Sequence, residues 1–359
     1  MKIDPLDSLP PALSAGLHSN HLPGIDGLRA AAALLVVFYH YGYTWCPGGL
    51  GVLAFFVLSG FLITWLLIKE EERFGKICLK FFYIRRSLRI FPAFYAFWFL
   101  WAGALYLFNK KIIVPQAIAS FFYLNNYYQA LFGDPGTGLS HTWSLGIEEQ
   151  FYLLWPVTFL LLKRTPARIG FLAAAIVAVW LYRIVLVLGL NRDQGYIYEA
   201  LDTRGDHLLI GCLLAMVLRN GMMVSTWRVA CATRWLPFVT IGLLTLSSAF
   251  ADTSTMRYRD LIGFAIDPVL VAVLITQCLA FEHGGLGAIL NWPGVQYLGT
   301  ISYSIYLYQQ VVIGPVRKWA AGWLWLSLPV VLLAVIAAAS VSYWIVERPF
   351  LKLKGRFVS

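Results

Sequence analysis

The sequence predicts an all-α integral membrane protein with about ten transmembrane helices in one bundle, and three observations predict it. Of the 359 residues, 59% are hydrophobic and only 13% are charged, whereas a soluble domain carries about 25% charged residues. The mean hydropathy is +0.69. The apolar runs have the ~20-residue length that a membrane-crossing helix needs, and they lack the alternation of polar and apolar residues found in barrel strands.

The first 23 residues do not resemble a signal peptide, because they contain four prolines and no apolar core. We expect residues 1–23 to form a flexible cytoplasmic tail and residues 24–350 to form one membrane domain. Residues 351–359 are expected to form a basic cytoplasmic tail.

Ten apolar runs are candidate spans. They cover about residues 28–43, 50–68, 90–108, 140–162, 169–190, 208–218, 235–250, 261–281, 295–313 and 323–346. The stretch 112–132 between spans 3 and 4 is only moderately apolar and contains Pro115 with several Asn, Tyr and Gln residues. It is therefore interpreted as a re-entrant or interfacial segment.

The net charge of +10 is interpreted as a topology signal rather than as a sign of nucleic-acid binding, because cytoplasmic loops carry excess Lys and Arg. With ten spans and both termini in the cytoplasm, 19 Lys and Arg lie inside and 8 outside, with Arg183 in the membrane. An eleventh span at 112–132 would leave the later loops with 6 inside and 10 outside. The charge count therefore favours ten spans.

Span 1 carries an arginine at its start and a histidine further along. Arg29 and His40 are eleven residues apart, which is about three helical turns, so both project from one helix face roughly 16 Å apart. Asp26 precedes Arg29 by three residues and can pair with it. We expect Arg29 at the cytoplasmic end and His40 near the midplane, where by this topology it is the one histidine within the membrane.

The basic segment 69–89 between spans 2 and 3 contains Arg85, Arg86 and Arg89 just before span 3. This segment is a topology signal. Guanidinium groups clustered at a membrane surface also suit the phosphates of an anionic ligand.

Span 4 begins with polar groups and carries two adjacent carboxylates, Glu148 and Glu149, with Tyr152 and Trp155 on the face of Glu148. Carboxylates near a span's start are costly in lipid and usually face a cavity or a partner. Ser59 and Gly60 in span 2 allow close approach of a neighbouring helix.

Two further polar groups are candidates for the outer side. Arg204, Asp206 and His207 cluster at the mouth of the short span 6, after a polar loop. Ser302, Tyr306 and Gln309 form a polar stripe at helical spacing in span 9. The five cysteines are scattered without metal-binding or disulfide spacing, so no metal site is predicted.

The order of these motifs resembles the acyltransferase 3 family of bacterial multi-pass membrane O-acyltransferases. The matching segments are DGLRAAAALLVVFYH, FFVLSGFLI, RRSLRIFP, HTWSLGIEEQFYLLWP, TRGDHLLIG, LGTISYSIYLY and VERP. The resemblance covers the chain after residue 23. It implies a ten-helix domain in the bacterial cytoplasmic membrane that moves an acyl group, often acetyl, from acyl-CoA to a hydroxyl. It also implies acceptors such as O-antigen, exopolysaccharide, peptidoglycan or Nod-type sugars, and sometimes macrolides.

The resemblance also assigns roles to residues. It implies catalytic roles for Arg29, His40 and Glu148, and donor binding by the basic motif ahead of span 3. The donor-binding candidates are Arg85, Arg86 and Arg89. The supporting or acceptor-side candidates are Asp26, Ser59, Trp143, Glu149, Tyr152, Arg204, Asp206, Ser302, Tyr303, Tyr306 and Gln309. Gln309 departs from the family pattern, which often has histidine there.

The resemblance therefore implies an O-acetyltransferase with acetyl-CoA as co-substrate and no bound cofactor. His40 could act as a general base or carry the acyl group itself. The expected partners are acyl-CoA, a lipid-linked or surface glycan and membrane lipids, and no nucleic acid. A partner protein or a second copy of the chain is an open alternative, because no SGNH-type domain follows span 10. A glycolipid flippase, transfer to a macrolide and a scaffold subunit are the competing functions.

Overall fold

The computed structural model describes residues 4–19, 21–190, 192–253, 256–319 and 324–357, and every regular element in these ranges is helical. The α-helices are α1 (Pro11–His18), α2 (Ile25–Tyr41), α3 (Gly48–Phe74), α4 (Leu79–Leu107), α5 (Val114–Phe121), α6 (Asn125–Phe132), α7 (Trp143–Leu161), α8 (Thr165–Ile184), α9 (Gln194–Glu199), α10 (Leu201–Arg219), α11 (Val224–Ala230), α12 (Leu236–Thr253), α13 (Met256–Tyr258), α14 (Phe264–Ala280), α15 (Gly285–Leu290), α16 (Pro293–Thr300), α17 (Ser302–Trp319), α18 (Leu324–Ser342) and α19 (Arg348–Leu353).

Short turns of other helix types extend several of these elements. The π-helical turns are Val185–Gly189, Arg259–Gly263 and Tyr343–Glu347, and the 3₁₀ turns are Pro5–Ser8, Ser140–Thr142 and Lys354–Arg356. Residues 1–3 and 358–359 of the predicted tails, and residue 323 at the start of the tenth predicted span, lie outside the described residues.

Within the described residues, five helical segments have the length and apolar composition needed to cross a membrane. They are Gly48–Phe74, Leu79–Leu107, Thr165–Gly189, Arg259–Ala280 and Ser327–Arg356. A sixth candidate joins Gln194–Arg219 to Val224–Ala230, which are bent by 107° at their break. The count of ten spans and the re-entrant segment stay predictions.

Helix α4 has the kind of surface that lipid would cover. Phe99, Leu100, Tyr106 and Leu107 are all more than half exposed on it. A soluble protein rarely presents a contiguous apolar surface of this kind to water. The composition and the outer face of α4 therefore agree on a membrane environment.

Helix α3 forms the centre of the bundle and packs against α2 and α10. The contact with α10 is close because each of the two helices places a glycine against the backbone of the other. A Cβ atom at Gly60 would lie 1.9 Å from the Leu208 carbonyl oxygen, and one at Gly211 would lie 2.0 Å from that of Val57. The predicted role of Gly60 in close helix approach is thus confirmed.

Two predicted loops are largely helical, because polar side chains there are paired within the bundle instead of being solvated. The predicted basic segment 69–89 is the end of α3 and the start of α4, so Arg85, Arg86 and Arg89 lie inside α4. The predicted polar loop 191–207 contains α9 and the first turns of α10. Span 9 is also broken, at Ile301 between α16 and α17.

The segment before residue 24, which was predicted to be a flexible tail, is folded in the part that the structure describes. Leu13 and Leu17 of α1 are buried, and α1 packs against α14. Asp4 accepts hydrogen bonds from the Leu6 N–H at 3.0 Å and from Arg219 Nη1 at 2.6 Å. These two donors stabilise the charged carboxylate and lower the pKa of Asp4.

Candidate active site

A cavity of about 610 Å³ opens between α2, α3, α4, α7 and α17, and we call it the arginine cavity. Its basic lining residues are Arg29, Lys69, Arg73, Arg85, Arg86, Arg89 and Lys354, and its acidic ones are Asp26, Glu70, Glu148 and Glu149. Basic groups outnumber acidic ones by seven to four. The cavity therefore favours an anionic ligand.

Two of its arginines are already paired within the chain. Arg29 Nη1 donates to Asp26 Oδ1 at 3.2 Å, as the i, i+3 spacing predicts. Arg85 forms an ion pair with Glu70 and donates from Nη1 to the Phe357 carbonyl oxygen at 2.7 Å. Much of the charge of Arg29 and Arg85 is thereby balanced.

Arg86 and Arg89 are the half-buried arginines of this cavity that form no ion pair with a described residue. The Arg86 guanidinium lies 3.6 Å from the centre of the Tyr152 ring, and its Nε has no hydrogen-bond partner. Arg89 lies one turn further along α4 and forms no hydrogen bond or ion pair with any described residue. A bound anion could supply the missing partner to both guanidinium groups.

The two carboxylates of α7 enter the same cavity. Ser59 Oγ donates to Glu148 Oε1 at 2.7 Å, which ties α3 to α7. Glu149 Oε1 is buried and has no hydrogen-bond partner among the described residues. The structure thus brings Ser59, Glu148, Glu149 and Arg86 to one wall, and Tyr152 forms the aromatic platform beneath Arg86.

A second cavity, of about 460 Å³, lies at the other end of α2, and we call it the histidine cavity. Its polar lining side chains include His40, Gln129, Asp134, Ser140, His141, Gln194, Glu199, Arg259, Asp267 and Gln310. Its aromatic lining residues are Tyr39, Trp143, Tyr198, Phe264 and Tyr306. Aromatic walls with several polar groups are typical of sites for organic ligands.

His40 is held by two neighbouring glutamines of α17. Its Nδ1–H donates to Gln309 Oε1 at 2.9 Å, and Gln310 Nε2 donates to His40 Nε2 at 3.1 Å. With these amide orientations the proton is on Nδ1 and the lone pair of Nε2 lies on the side of Gln310. Gln310 also accepts from His141 Nδ1 at 3.2 Å, so it bridges two histidines.

The structure places His40 near the end of its helix, and its predicted depth at the membrane midplane stays a prediction. His40 is the residue before the last of α2, and the Tyr39 side chain lies against Gly48, the first residue of α3. The arginine cavity, which Arg29 lines, extends along α3 from Val52 to Phe74. His40 therefore lies near one end of the helix pair.

Tyr306 separates the two cavities, because it and Val52 line both of them. Its hydroxyl donates to the His141 carbonyl oxygen at 3.0 Å and hydrogen-bonds with Ser144 Oγ. One turn earlier, Ser302 lines the arginine cavity. One turn later, Gln309 contacts His40.

The polar stripe of α17 thus runs from one cavity to the other instead of lying on a single side. Tyr303 also lines the arginine cavity, and its hydroxyl donates to the Ile90 carbonyl oxygen at 3.1 Å. Ser302 and Tyr303 therefore lie at the arginine cavity and not beside His40, and the outer position expected for the stripe stays a prediction.

The sequence predicted that Arg204 and Asp206 lie at the mouth of a span. In the structure both residues belong to α10 and are fully buried. Arg183 Nη2 donates to Asp206 Oδ2 at 2.7 Å, and Trp180 Nε1 donates to the same oxygen at 2.9 Å. The Arg204 guanidinium lies 4.0 Å from the centre of the Phe264 ring. A charge in lipid needs such partners, so Asp206 is the partner of Arg183, and neither Arg204 nor Asp206 lines either cavity.

Comparison with known proteins gives the chain a family. Residues 22–347 match the acyltransferase 3 family, described as "Acyltransferase domain". The chain belongs to this acyltransferase family. The match covers the histidine cavity and all of the arginine cavity except His21 and Lys354, and it confirms the resemblance drawn from the sequence motifs.

Several named proteins are similar to this family member. It is 33% identical to "Putative peptidoglycan O-acetyltransferase YrhL" of Bacillus subtilis, over 92% of this chain and 55% of that protein. It is 32% identical to "Peptidoglycan O-acetyltransferase OatA" of Listeria monocytogenes, over 92% of this chain and 56% of that protein. The chain thus spans about half the length of the curated relatives it matches. No solved structure matches it.

Sequence reasoning missed several residues of the histidine cavity. His141 and His207 are also buried in the protein, with 3% and 0% exposure, whereas the expectation that His40 is the one histidine within the membrane stays a prediction. His141 was detectable, since it stands directly before the acyltransferase segment TWSLGIEEQ. Gln310 and Glu199 gave no such signal, because nothing in their local sequence distinguishes a cavity wall from a helix surface.

Proposed function

We propose that this acyltransferase-family protein moves an acetyl group from cytoplasmic acetyl-CoA to a hydroxyl of a cell-surface carbohydrate. The observation that carries the proposal is the pair of cavities that meet at Tyr306, one lined by arginines and the other by His40. A donor that bears phosphates and an acceptor that must be deprotonated need these two environments next to each other.

The arginine cavity is the proposed donor site. Arg86 and Arg89 would bind CoA phosphates, and the extended pantetheine arm would carry the thioester past Tyr306 towards His40. The axial distance between Arg29 and His40, roughly 16 Å at ~1.5 Å per residue, is the path that the arm would cover. Arg29, held by Asp26, would line that path.

His40 is the proposed catalytic residue, and two mechanisms use the lone pair of its Nε2, which Gln310 Nε2 must first release. As a general base, Nε2 takes the proton of the acceptor hydroxyl, the oxygen attacks the thioester carbonyl, and the proton then passes to the departing CoA thiolate. As an acyl carrier, Nε2 attacks the thioester carbonyl and the C–S bond breaks, so that CoA leaves as the thiolate. The acceptor hydroxyl then attacks the acetyl group on Nε2, the acetyl–nitrogen bond breaks, and the hydroxyl proton neutralises the thiolate. In both, Gln309 holds the proton on Nδ1 so that Nε2 keeps its lone pair.

The acceptor is proposed to be a sugar outside the cytoplasm. The names of the relatives favour a peptidoglycan sugar over the O-antigen and exopolysaccharide sugars that the resemblance also allows. The names describe the full-length relatives, and this chain spans about half of their length.

The proposed setting is the bacterial cytoplasmic membrane, with ten spans and both termini in the cytoplasm. The segment containing α5 and α6 would be the re-entrant or interfacial piece. The arginine cavity, near the end of α3 that carries Lys69 and Arg73, would then open towards the cytoplasm.

The decisive experiment follows CoA release and acetyl-ester formation by the purified protein with labelled acetyl-CoA and cell-wall glycan. His40→Ala should lower the rate by far more than tenfold, which exceeds ~1.4 kcal/mol of barrier. His283→Ala removes an exposed histidine that lines neither cavity and is the matched control. Wild-type rates in His40→Ala would exclude both mechanisms.

The same assay separates the two mechanisms and the competing function. An acyl carrier predicts a burst of about one CoA per enzyme before acceptor is added, whereas a general base predicts none. A flippase would release no CoA under any condition, and that result would overturn the proposed function.

A further inference from the structure

We propose that the histidine cavity selects a sugar unit that is rich in hydroxyl or ammonium donors and carries no anionic group. The inference rests on the proposed function, because it takes this cavity as the acceptor site. It goes further by assigning the chemical class of the acceptor and the residues that read it.

The first observation is a set of hydrogen-bond acceptors without donors. His141, Gln129 and Asp267 line the cavity and are 3%, 1% and 6% exposed. Among the described residues, His141 Nε2, Gln129 Oε1 and Asp267 Oδ1 have no hydrogen-bond partner. His141 Nε2 is an acceptor because the proton of this ring lies on Nδ1, which donates to Gln310.

Buried acceptors without partners are costly, so a ligand that supplies donors is stabilised there. A sugar ring provides several hydroxyl donors, and an ammonium group provides three N–H donors. A carboxylate or phosphate provides only acceptors, and it would leave these three atoms unsatisfied.

The second observation is the charge of the same wall. Glu199 is half-buried and forms no hydrogen bond or ion pair with a described residue, and Asp134 lies exposed at the rim. The basic side chain Arg259 also lines the cavity, but its Nε donates to Asp260 Oδ1 at 2.9 Å. The acidic side chains Glu199, Asp134 and Asp267 therefore outnumber Arg259, the one arginine among the described residues of this lining.

This charge is opposite in sign to that of the arginine cavity. An anionic group that Arg86 and Arg89 would attract would be repelled beside Glu199 and Asp134. The separation would keep the CoA phosphates in the arginine cavity and admit a neutral or cationic sugar to His40. The rings of Tyr39, Trp143 and Tyr198 offer apolar faces to the C–H face of such a sugar.

The test compares three acceptor trimers of similar size with the purified protein and acetyl-CoA. They are a glucosamine trimer, which is cationic, an N-acetylglucosamine trimer, which is neutral, and a galacturonic acid trimer, which is anionic. Acetyl ester is measured as alkali-labile acetyl, which excludes acetyl bound to nitrogen. We expect kcat/KM for both non-anionic trimers to exceed that for the anionic trimer by about tenfold or more, or ~1.4 kcal/mol.

Variants then connect this preference to Glu199. Glu199→Gln should lower the ratio of kcat/KM between the cationic and anionic trimers about tenfold, whereas Glu199→Asp should keep most of it. Glu282→Gln makes the same change at an exposed position outside both cavities and should leave the ratio as in the wild type. Because each ratio is taken within one preparation, partial misfolding of a variant does not alter it.

Each outcome decides the inference. An anionic trimer acetylated as fast as the neutral one, or an unchanged ratio in Glu199→Gln, would overturn it. If none of the trimers is acetylated, the same order is measured from their competition with transfer to native cell-wall glycan. Absence of CoA release with every acceptor would instead show that the proposed function itself is wrong, and the inference would fall with it.

Discussion

At the scale of single residues, the departure at Gln309 has a physical explanation. The acyltransferase 3 pattern often has histidine there, and in this chain the amide oxygen of Gln309 accepts the Nδ1 proton of His40. A histidine at position 309 could accept the same hydrogen bond through a ring nitrogen. The orienting task is therefore kept although the residue type differs, and His141 supplies a second histidine through Gln310.

The proposed donor site predicts unequal roles for the three arginines of the basic motif. Arg89→Gln should raise the KM for acetyl-CoA about tenfold or more with a smaller change in kcat, because it removes an unpaired guanidinium that a phosphate could bind. Lys80→Gln removes a charge from the same helix outside the cavity and is the control. The double variant Arg85→Gln, Glu70→Gln deletes an ion pair of zero net charge and should raise KM less. Equal KM values in Arg89→Gln and the wild type would rule out phosphate binding at Arg89.

At the scale of helices, the errors of the sequence analysis have one common cause. A hydropathy pattern assigns charged stretches to loops. The end of α3 and the starts of α4 and α10 were therefore predicted as loops. In the structure these charges find partners inside the protein, as Arg183 does with Asp206 and Arg85 does with Glu70. Helix length in this chain is therefore set by pairing as well as by the apolar run.

The close contact between α3 and α10 gives a stability prediction. Gly60→Ala should lower the free energy of unfolding by about 1–3 kcal/mol, because the new Cβ would meet the Leu208 carbonyl oxygen. The loss is measured as a lower midpoint temperature of thermal unfolding in detergent. Gly242→Ala in α12 is the matched control, since no atom lies within 4 Å of its Cβ. It should be neutral or slightly stabilising. A Gly60→Ala protein as stable as the control would mean that the helices separate at little cost.

At the scale of the whole molecule, the two cavities place opposite charge at opposite ends of α2. Their separation fits a donor and an acceptor that approach from opposite sides of a membrane. Tyr306, fixed by His141 and Ser144, lies where the acetyl group would pass between them.

This arrangement predicts the sidedness of two exposed loops. In a background with the five native cysteines replaced, Asp193→Cys should react with a membrane-impermeant thiol reagent on intact cells. Lys76→Cys should react only after the membrane is permeabilised. Both positions are exposed, so accessibility within the protein does not separate them. The reverse pattern would overturn the topology, and labelling of both on intact cells would favour an eleventh span.

The sequence by itself determined the helical membrane class, the family and most of the charged residues that line the arginine cavity. These follow from local signals: apolar runs of span length, and motifs such as RRSLR that carry several site residues within one or two turns. A turn of helix fixes which neighbours share a face, so Arg29 with Asp26 and Arg85 with Arg89 could be predicted from spacing alone.

The tertiary structure decided which distant groups meet. His40 and Gln309 are 269 residues apart, and no local spacing relates them. The buried positions of Arg204 and Asp206, the partition at Tyr306 and the acidic wall with Glu199 likewise depend on how α9, α10 and α17 pack around α2 and α3. Packing of separate helices is a long-range outcome of side-chain shape and pairing, and the periodicity of a single helix carries no information about it.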